Sequence, residues 1–353
     1  MTRAERIVLA VVFAAAALAG LAHYLDWPSG LAFALATIAL AGLAHMVGFA
    51  TEQVGELFGP AMTGVLQSTL GNLPELFVVI FALRAGETTV AQTSIIGSLF
   101  ANALLVLGLV IVVGARAAPD GVMRFKRRLP MDTSTLLLVT SFIIVIVGLA
   151  HASHDPAASH ERELSAIAAV ALLLVYVAWV IPYVRGESRD AAPRPEGHPG
   201  PRVPLPVSIT LLALGGLGAA FVSDWFIAAL RPTIDALGVS DAFAGLVIVA
   251  IAGNAVENVA GIVLAQKGQS DLAISVVKNS VAQVAAFLYP VLVLISLLFA
   301  TQLTFALAPV YIGALLLTAL AVWQITGDGE AVAFEGLALI AIYVILAALT
   351  LYE

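Results

Sequence analysis

Long apolar runs, separated by short polar segments, recur along almost all of the 353 residues of the chain. An α-helix needs about 20 apolar residues to cross the hydrocarbon core of a bilayer. We count eleven runs of this kind, and each is predicted to be a membrane-spanning helix. Their predicted limits are residues 4–25, 29–50, 62–84, 88–114, 131–151, 163–184, 205–230, 242–266, 270–299, 304–325 and 331–352.

The composition leads to the same fold class. Hydrophobic residues make up 61% of the chain and charged residues 11%, and the mean hydropathy is +1.03. Water-soluble globular domains do not have such a composition, so we predict an all-α polytopic membrane protein. The first run follows basic residues, as in a signal peptide, but it is long for one, and we interpret it as a retained helix. The chain has no cysteine, which excludes disulfides and thiolate metal sites.

Lysine and arginine are distributed unevenly between the two sides of the predicted helices. If the N-terminus is inside, only three basic residues lie in outside loops, namely Arg84, Arg162 and Arg231. Twelve lie in inside segments, which are Arg3, Arg6, Arg116, Arg124, Lys126, Arg127, Arg128, Arg185, Arg189, Arg194, Arg202 and Lys267. The positive-inside rule therefore predicts a cytoplasmic N-terminus and an outside C-terminus, in a cell (inner) membrane.

A segment rich in proline and arginine, residues 185–204, is predicted to be a solvated cytoplasmic linker. Before it we place an N-terminal helix in residues 1–28 and five spans in residues 29–184, and after it five spans in residues 205–353. Because five is an odd number, the second set of spans lies upside down relative to the first. The predicted architecture is thus one helix plus two inverted five-helix repeats, which is typical of secondary transporters.

Two similar segments, residues 71–108 and 253–290, occupy equivalent places in these repeats, at an offset of 182 residues. Each begins with Gly-Asn and has a glutamate three residues after the asparagine, which gives the pairs Asn72 with Glu75 and Asn254 with Glu257. Residues three apart share a helix face, and carboxylate and amide oxygens suit a hard cation. A structural acid is the alternative for either glutamate alone, but a symmetric buried pair indicates function.

Polar residues also recur at helical spacing in the span after each glutamate. They are Ser94, Ser98 and Asn102 in the first repeat, and Ser280 and Gln283 in the second. We interpret Asn102 and Gln283 as ligands or as neighbours of ligands, because buried amides need partners. For Ser94 we expect only a packing role. Gly71 and Gly253 are expected to open the acidic helices at a break in the chain.

These segments resemble the calcium/proton exchangers of the calcium/cation antiporter superfamily. The resemblance is carried by Gly71-Asn72 with Glu75, Gly253-Asn254 with Glu257, Gly97-Ser98, Asn102, residues 271–274, Ser280, Gln283 and Pro290. It implies ten core helices in two inverted halves, with Glu75 and Glu257 binding the cation and exchanging it for protons. By position, the resemblance places Asn72, Asn254, Ser98, Asn102, Ser280 and Gln283 around them.

The chain departs from that family at residues 278–280. Where the second repeat of the family has an aliphatic residue followed by Gly-Ser, this chain has Lys278-Asn279-Ser280. An ammonium group at the site would cancel one carboxylate charge and weaken Ca²⁺ binding relative to a monovalent ion. Alternatively, the lysine snorkels to the cytoplasmic surface, since Asp271 lies about 10 Å away along the helix. The sequence leaves both arrangements open.

We therefore predict a secondary antiporter that exchanges Ca²⁺ for H⁺ by alternating access. Sodium or another monovalent cation in exchange for H⁺, or sodium/calcium exchange, is the alternative. An ion channel would use similar oxygen ligands, but its flux would not be coupled to a proton gradient. No HExxH or GxSxG motif is present, so we predict no enzyme activity. We expect no cofactor, no nucleic-acid partner, and contact with transported ions and membrane lipids; the sequence does not define the oligomeric state.

Overall fold

The computed structural model describes residues 3–55, 70–190 and 202–353, and most of these described residues are helical. The α-helices are α1 Arg3–Tyr24, α2 Ser29–Gly55, α3 Leu73–Arg84, α4 Thr88–Phe100, α5 Leu107–Ala117, α6 Arg128–Ala152, α7 Glu161–Asp190, α8 Leu205–Leu237, α9 Asp241–Phe243, α10 Ala250–Gly253, α11 Ala255–Gln266, α12 Ser270–Gln283, α13 Tyr289–Ser296, α14 Pro309–Thr326 and α15 Ala333–Leu351. A short 3₁₀ helix, Pro156–His160, precedes α7.

Within the described residues, three π-helical turns interrupt the long helices: π1 Ala101–Val106, π2 Ala244–Val249 and π3 Val284–Leu288. Because π1 joins α4 to α5 and π3 joins α12 to α13, each of these pairs forms one continuous span. Within the described ranges, nine helices are long and apolar enough to cross a bilayer. The predicted fold class, an all-α polytopic membrane protein, is confirmed.

Two of the eleven predicted spans do not appear among these nine. Span 62–84 begins in residues 56–69, which lie outside the described structure. Span 242–266 is not one continuous helix, because the chain breaks at Asn254, next to the break expected at Gly253, into a segment ending at Gly253 and the separate helix α11. Asn254 has φ −102° and ψ 7°, which lies outside the helical region of the backbone map.

The predicted linker lies only partly within the described structure. Helix α7 continues to Asp190, past the predicted start of the linker at residue 185. The first proline after this helix is Pro193, three residues beyond Asp190, so residues 185–190 continue the helix although they were predicted to belong to the linker. The rest of the predicted linker, up to residue 201, lies outside the described residues.

The described chain forms two compact units, and the first consists of residues 1–81 and 177–238. In this unit small residues allow α1, α2 and α8 to approach closely. A Cβ atom added to Gly215 on α8 would lie 2.7 Å from a methyl group of Val47 on α2. One added to Gly42 on α2 would lie 2.8 Å from a methyl group of Val12 on α1. These three helices therefore pack with almost no space between them.

The second unit consists of residues 82–176 and 239–353, so each unit contains spans from both predicted repeats. In this unit α4 and π2 lie in direct contact. Gly97 on α4 packs against the backbone of Leu246, and Gly245 in π2 packs against the side chain of Thr93. Neither position has room for a Cβ atom. A similar approach joins α5 to α15, where a Cβ atom added to Gly336 would lie 2.5 Å from the Gly108 carbonyl oxygen. These contacts are possible only because glycine has no side chain.

A two-stranded antiparallel ribbon, which the sequence did not predict, lies between the spans of the second unit. Strand β1, Val122–Arg124, pairs with strand β2, Glu330–Val332. Arg124 forms exposed ion pairs with Asp120 at 2.6 Å and with Glu330 at 3.2 Å. The hydrogen bond from the Arg124 guanidinium holds the pKa of the Asp120 carboxyl below its usual value. The ribbon thus connects the α5–α6 loop to the α14–α15 loop.

We expect Gly336→Ala to destabilise the protein by about 1–3 kcal/mol, because the new methyl group overlaps the Gly108 carbonyl and forces α5 and α15 apart. The measurement is the apparent melting temperature of the detergent-purified protein. Gly313→Ala on α14 is the matched control: a Cβ atom there meets no atom within 4 Å, and alanine favours helix. Equal melting temperatures for the two variants would contradict the assigned packing.

Candidate cation site

The two acidic helices both begin immediately after an asparagine. Helix α3 starts at Leu73 after a turn at Asn72, and α11 starts at Ala255 after Asn254. The predicted break is present in both repeats, but it falls one residue after the glycines, since Gly253 still ends α10. Proline is tolerated at Pro74 because the first N–H groups of a helix have no acceptor within it. The chain is thus interrupted at the asparagine of each Gly-Asn pair.

Each candidate glutamate lies in the first turn of its helix, where the positive end of the helix dipole favours a negative charge. In the first unit, Glu75 is 4% exposed and Asn72 is 6% exposed, so both side chains are buried. In the second unit, Glu257 occupies the equivalent position on α11. The side chain of Glu257 lies outside the part of the chain whose side chains are described.

A hydrogen-bonded cluster of polar side chains lies in the core of the second unit. The Asn102 amide nitrogen donates to Asn254 Oδ1 and to Ser280 Oγ, both at 3.1 Å. The Asn254 amide nitrogen donates to Ser98 Oγ at 2.9 Å and to the Ala250 carbonyl, also at 2.9 Å. We name Ser98, Asn102, Asn254 and Ser280 the amide–hydroxyl cluster. All four side chains are at most 3% exposed.

The amide–hydroxyl cluster joins both repeats, because Ser98 and Asn102 come from the first and Asn254 and Ser280 from the second. Asn254 uses both its amide nitrogen and its oxygen, so its orientation at the helix break is fixed. The Ser98 and Ser280 hydroxyl oxygens each accept one of these bonds and have a second lone pair. The cluster therefore presents neutral oxygen atoms, the type of ligand that Ca²⁺, Na⁺ and similar hard cations prefer.

Gln283 follows Ser280 by three residues at the end of α12 and is 3% exposed. Its side chain interacts with that of Tyr176 on α7. Gln283 immediately precedes π3, and Asn102 lies at the start of π1. The 182-residue offset between the repeats maps Asn102 onto residue 284, so the two amides occupy equivalent positions to within one residue. Short π-helical segments inside α-helices are rare and occur often at functional sites.

Ser94, for which only packing was predicted, is on the same helix as Ser98. Its hydroxyl donates to the Ala91 carbonyl one turn earlier at 3.0 Å, which is a local bond within α4. Ser98, four residues later, instead contacts Asn254 in the other repeat. The structure thus separates two serines that the sequence places on one face.

Lys278 adopts neither arrangement considered from the sequence. It is 1% exposed, so it does not snorkel to the surface. Its Nζ donates to Ser134 Oγ on α6 at 2.6 Å and to Thr326 Oγ1 on α14 at 3.2 Å, not to the amide–hydroxyl cluster. The physical reason is helix geometry: at 100° per residue, positions 278 and 280 point about 200° apart, so Ser280 and Lys278 face opposite sides of α12.

Three residues near the candidate site were not found from the sequence: Ser134, Thr326 and Tyr176. Serine, threonine and tyrosine are common in membrane helices, and their partners lie more than a hundred residues away in the chain, except for Thr326, which is 48 residues from Lys278. No spacing rule connects such distant positions. Among the described side chains, no group of three or more histidine, cysteine or acidic residues that could hold a metal ion is present.

The comparison with protein families decides the classification. The family described as sodium/calcium exchanger protein matches residues 28–182 and 207–352, which is most of the chain. The chain belongs to this family. The chain is also similar to relatives and solved structures of calcium/proton exchangers. These similarities confirm the resemblance to that group within the family.

The Ca²⁺/H⁺ antiporter ChaA of Bacillus subtilis is 30% identical over 97% of this exchanger chain and 98% of its own length. The Ca²⁺/H⁺ antiporter of Synechocystis is 29% identical over 98% and 97%. The structure of native YfkE has a TM-score of 0.81 at 28% identity and covers 98% of this chain and 100% of its own. The first two relatives are named as antiporters, and nine helices in the described part of this chain are long and apolar enough to cross a membrane, so the chain is an integral membrane protein.

We expect Ser98→Ala to weaken cation affinity by roughly tenfold, because one donor of the buried Asn254 amide loses its acceptor and the cost is about 1–3 kcal/mol. The measurement is the Ca²⁺ concentration at half-maximal uptake in proteoliposomes. Ser94→Ala, one turn away on the same helix, is the control and should leave this concentration unchanged. If the two variants behave alike, the amide–hydroxyl cluster is structural only.

Proposed function

We propose that this chain is a secondary antiporter that exchanges Ca²⁺ for H⁺ across the membrane by alternating access. The observation that supports this most strongly is the repeated helix break, which puts a glutamate in the first helical turn after an asparagine in each repeat. Chemical support comes from the amide–hydroxyl cluster, which is centred on one of these asparagines. The names of the similar proteins, Ca²⁺/H⁺ antiporter and vacuolar cation/proton exchanger, agree with it.

We assign the exchange itself to Glu75 and Glu257. A carboxylate in apolar surroundings is unstable unless a proton or a cation neutralises it. Protonation and metal binding use the same oxygen atoms, so the two ligands exclude each other. Mutual exclusion at one site is what coupled exchange requires. Asn72, Asn254, Ser98, Asn102, Ser280 and Gln283 supply neutral oxygen ligands or orient those that do.

The proposal includes an orientation. The uneven distribution of lysine and arginine supports a cytoplasmic N-terminus and an outside C-terminus in a cell membrane. In that orientation a proton gradient directed inward would drive Ca²⁺ out of the cytoplasm. We also propose the division into a first helix, residues 1–28, and the repeats 29–184 and 205–353, which agrees with the interruption of the family match between residues 182 and 207.

A monovalent cation in place of Ca²⁺ is the second candidate, and one observation favours it. Lys278 places a buried positive charge on the helix that also carries Ser280 and Gln283. A positive charge near a cation site disfavours a divalent ion more than a monovalent one. Transport of both ions therefore has to be measured.

We expect Glu257→Gln to abolish Ca²⁺ uptake driven by a pH gradient in proteoliposomes, because glutamine can neither exchange a proton nor neutralise a cation. Glu163→Gln is the matched control, since Glu163 is an exposed glutamate in the first turn of α7, and it should retain the uptake of the unmodified protein. The measurement is radioactive Ca²⁺ uptake with and without the gradient, and with Na⁺ as competitor.

Two results would contradict the proposed function. Calcium uptake that is insensitive to the pH gradient would indicate a channel. Sodium flux that follows the gradient, without calcium flux, would establish the second candidate instead.

A further inference from the structure

We propose that Lys278 is a specificity determinant that acts on the cation site without touching it. Its buried ammonium group lies on the face of α12 opposite to Ser280 and lowers the affinity for divalent cations more than that for monovalent ones. The inference rests on the proposed function, because it concerns which cation the same site accepts. It differs from the arrangement expected from the sequence, in which the lysine would enter the site.

The first step is the direction of the side chain. Ser280 accepts a hydrogen bond from Asn102, so the Ser280 face of α12 is turned toward the amide–hydroxyl cluster. Lys278 donates to Ser134 and Thr326, so the opposite face is turned toward α6 and α14. The ammonium and the cluster are therefore separated by about one helix diameter, roughly 10–12 Å.

The second step is the surroundings of the ammonium. Lys278, Ser134 and Thr326 are each at most 1% exposed, so the group is shielded from water. Both of its hydrogen-bond partners are neutral hydroxyls, and within the described residues it forms no ion pair. Its charge is thus not cancelled by a bonded carboxylate, and its field extends through the protein interior with little screening.

The third step is what holds a positive charge there. Thr326 is the last residue of α14, so the ammonium lies at the negative end of that helix dipole. Arg127 binds the same helix end from the loop side, donating from Nε to the Gly327 carbonyl at 3.0 Å. The Thr326 hydroxyl donates to the Val322 carbonyl, which leaves its lone pair directed at Lys278. A helix terminus and two hydroxyls therefore stabilise the ammonium in place of a counter-ion.

The fourth step is the size of the effect. For two unit charges at about 12 Å and an effective dielectric constant of about 20, Coulomb's law corresponds to about tenfold in a binding constant. A divalent cation experiences twice this energy, which is about a hundredfold. Lys278 is therefore expected to shift selectivity by about tenfold toward monovalent cations.

The experiment compares Lys278→Met with Lys278→Arg in protein reconstituted in nanodiscs, with equilibrium binding of Ca²⁺ and of Na⁺ as the readout. Methionine has a similar length and no charge, whereas arginine keeps the charge. We expect Lys278→Met to bind Ca²⁺ about a hundredfold and Na⁺ about tenfold more tightly. Lys278→Arg should keep the Ca²⁺-to-Na⁺ ratio of the unmodified protein within about threefold.

Two further variants separate charge from packing. Lys278→Gln removes the charge but can still hydrogen-bond to Ser134 and Thr326, and it replaces Lys278→Met if that variant does not fold. The double variant Ser134→Ala with Thr326→Val removes the two hydroxyls that stabilise the ammonium, so it should change the ion ratio in the same direction as Lys278→Met but by less. Equal changes in Ca²⁺ and Na⁺ affinity in the neutral variants, or no change at all, would overturn the proposal.

The outcome is distinguishable from failure of the proposed function. Whether the unmodified protein exchanges Ca²⁺ for H⁺ is decided by its own uptake. Whether Lys278 sets selectivity is decided by the ratio of binding constants between variant and unmodified protein. A protein that transports only Na⁺ would refute the first proposal, and a gain of divalent binding in Lys278→Met would still support the second.

Discussion

The structure depends on one constraint: polar groups placed at membrane depth must find their partners inside the protein, because hydrocarbon offers none. The Asn254 side chain shows how the constraint is met. It lies where the backbone leaves the helix, and it bonds both to the carbonyl of Ala250 and to side chains of two other helical segments. One amide side chain thus forms hydrogen bonds at the break in its own helix and links this helix to two neighbouring segments.

The same constraint explains why the cluster is built from amides and hydroxyls. Each of these groups can donate and accept, so four side chains form a connected hydrogen-bond network without a net charge. A ring of carboxylates would have to be neutralised by bound cations or protons at all times, whereas a neutral network remains stable when the cation leaves. The acidic groups proposed for the candidate site are one glutamate from each repeat, Glu75 and Glu257, and each lies at the start of a helix, where a negative charge is favoured.

Much of the candidate site was predictable from the sequence because its chemistry is repeated. Asn254 and Glu257 have the same three-residue spacing as Asn72 and Glu75, and this repetition identified the acidic helices and the region of their break. Helical recurrence pointed to Ser94, Ser98 and Asn102 together, and the family resemblance then singled out Ser98 and Asn102, which both belong to the amide–hydroxyl cluster. Repetition of a costly residue at membrane depth is informative because packing alone does not require it.

What could not be predicted depends on contacts between distant segments. The direction of Lys278 follows from Ser134 and Thr326, which no motif links to it. The break at Asn254 was placed one residue early because glycine is the usual residue for such a turn, whereas here the amide side chain stabilises it. The ribbon of strands β1 and β2 is too short for a periodic pattern to reveal it.

The contact of Gly97 with the Leu246 backbone has a consequence for the transport cycle. The segments α4 and π2 meet without side chains between them, and so do α5 and α15 at Gly108 and Gly336. Such contacts cannot slide gradually, because a closely packed interior resists small deformations. In the proposed alternating-access cycle, the oxygen atoms of the amide–hydroxyl cluster therefore keep their spacing while access to them changes. A transported cation would then meet the same fixed arrangement of neutral oxygen atoms from either side of the membrane.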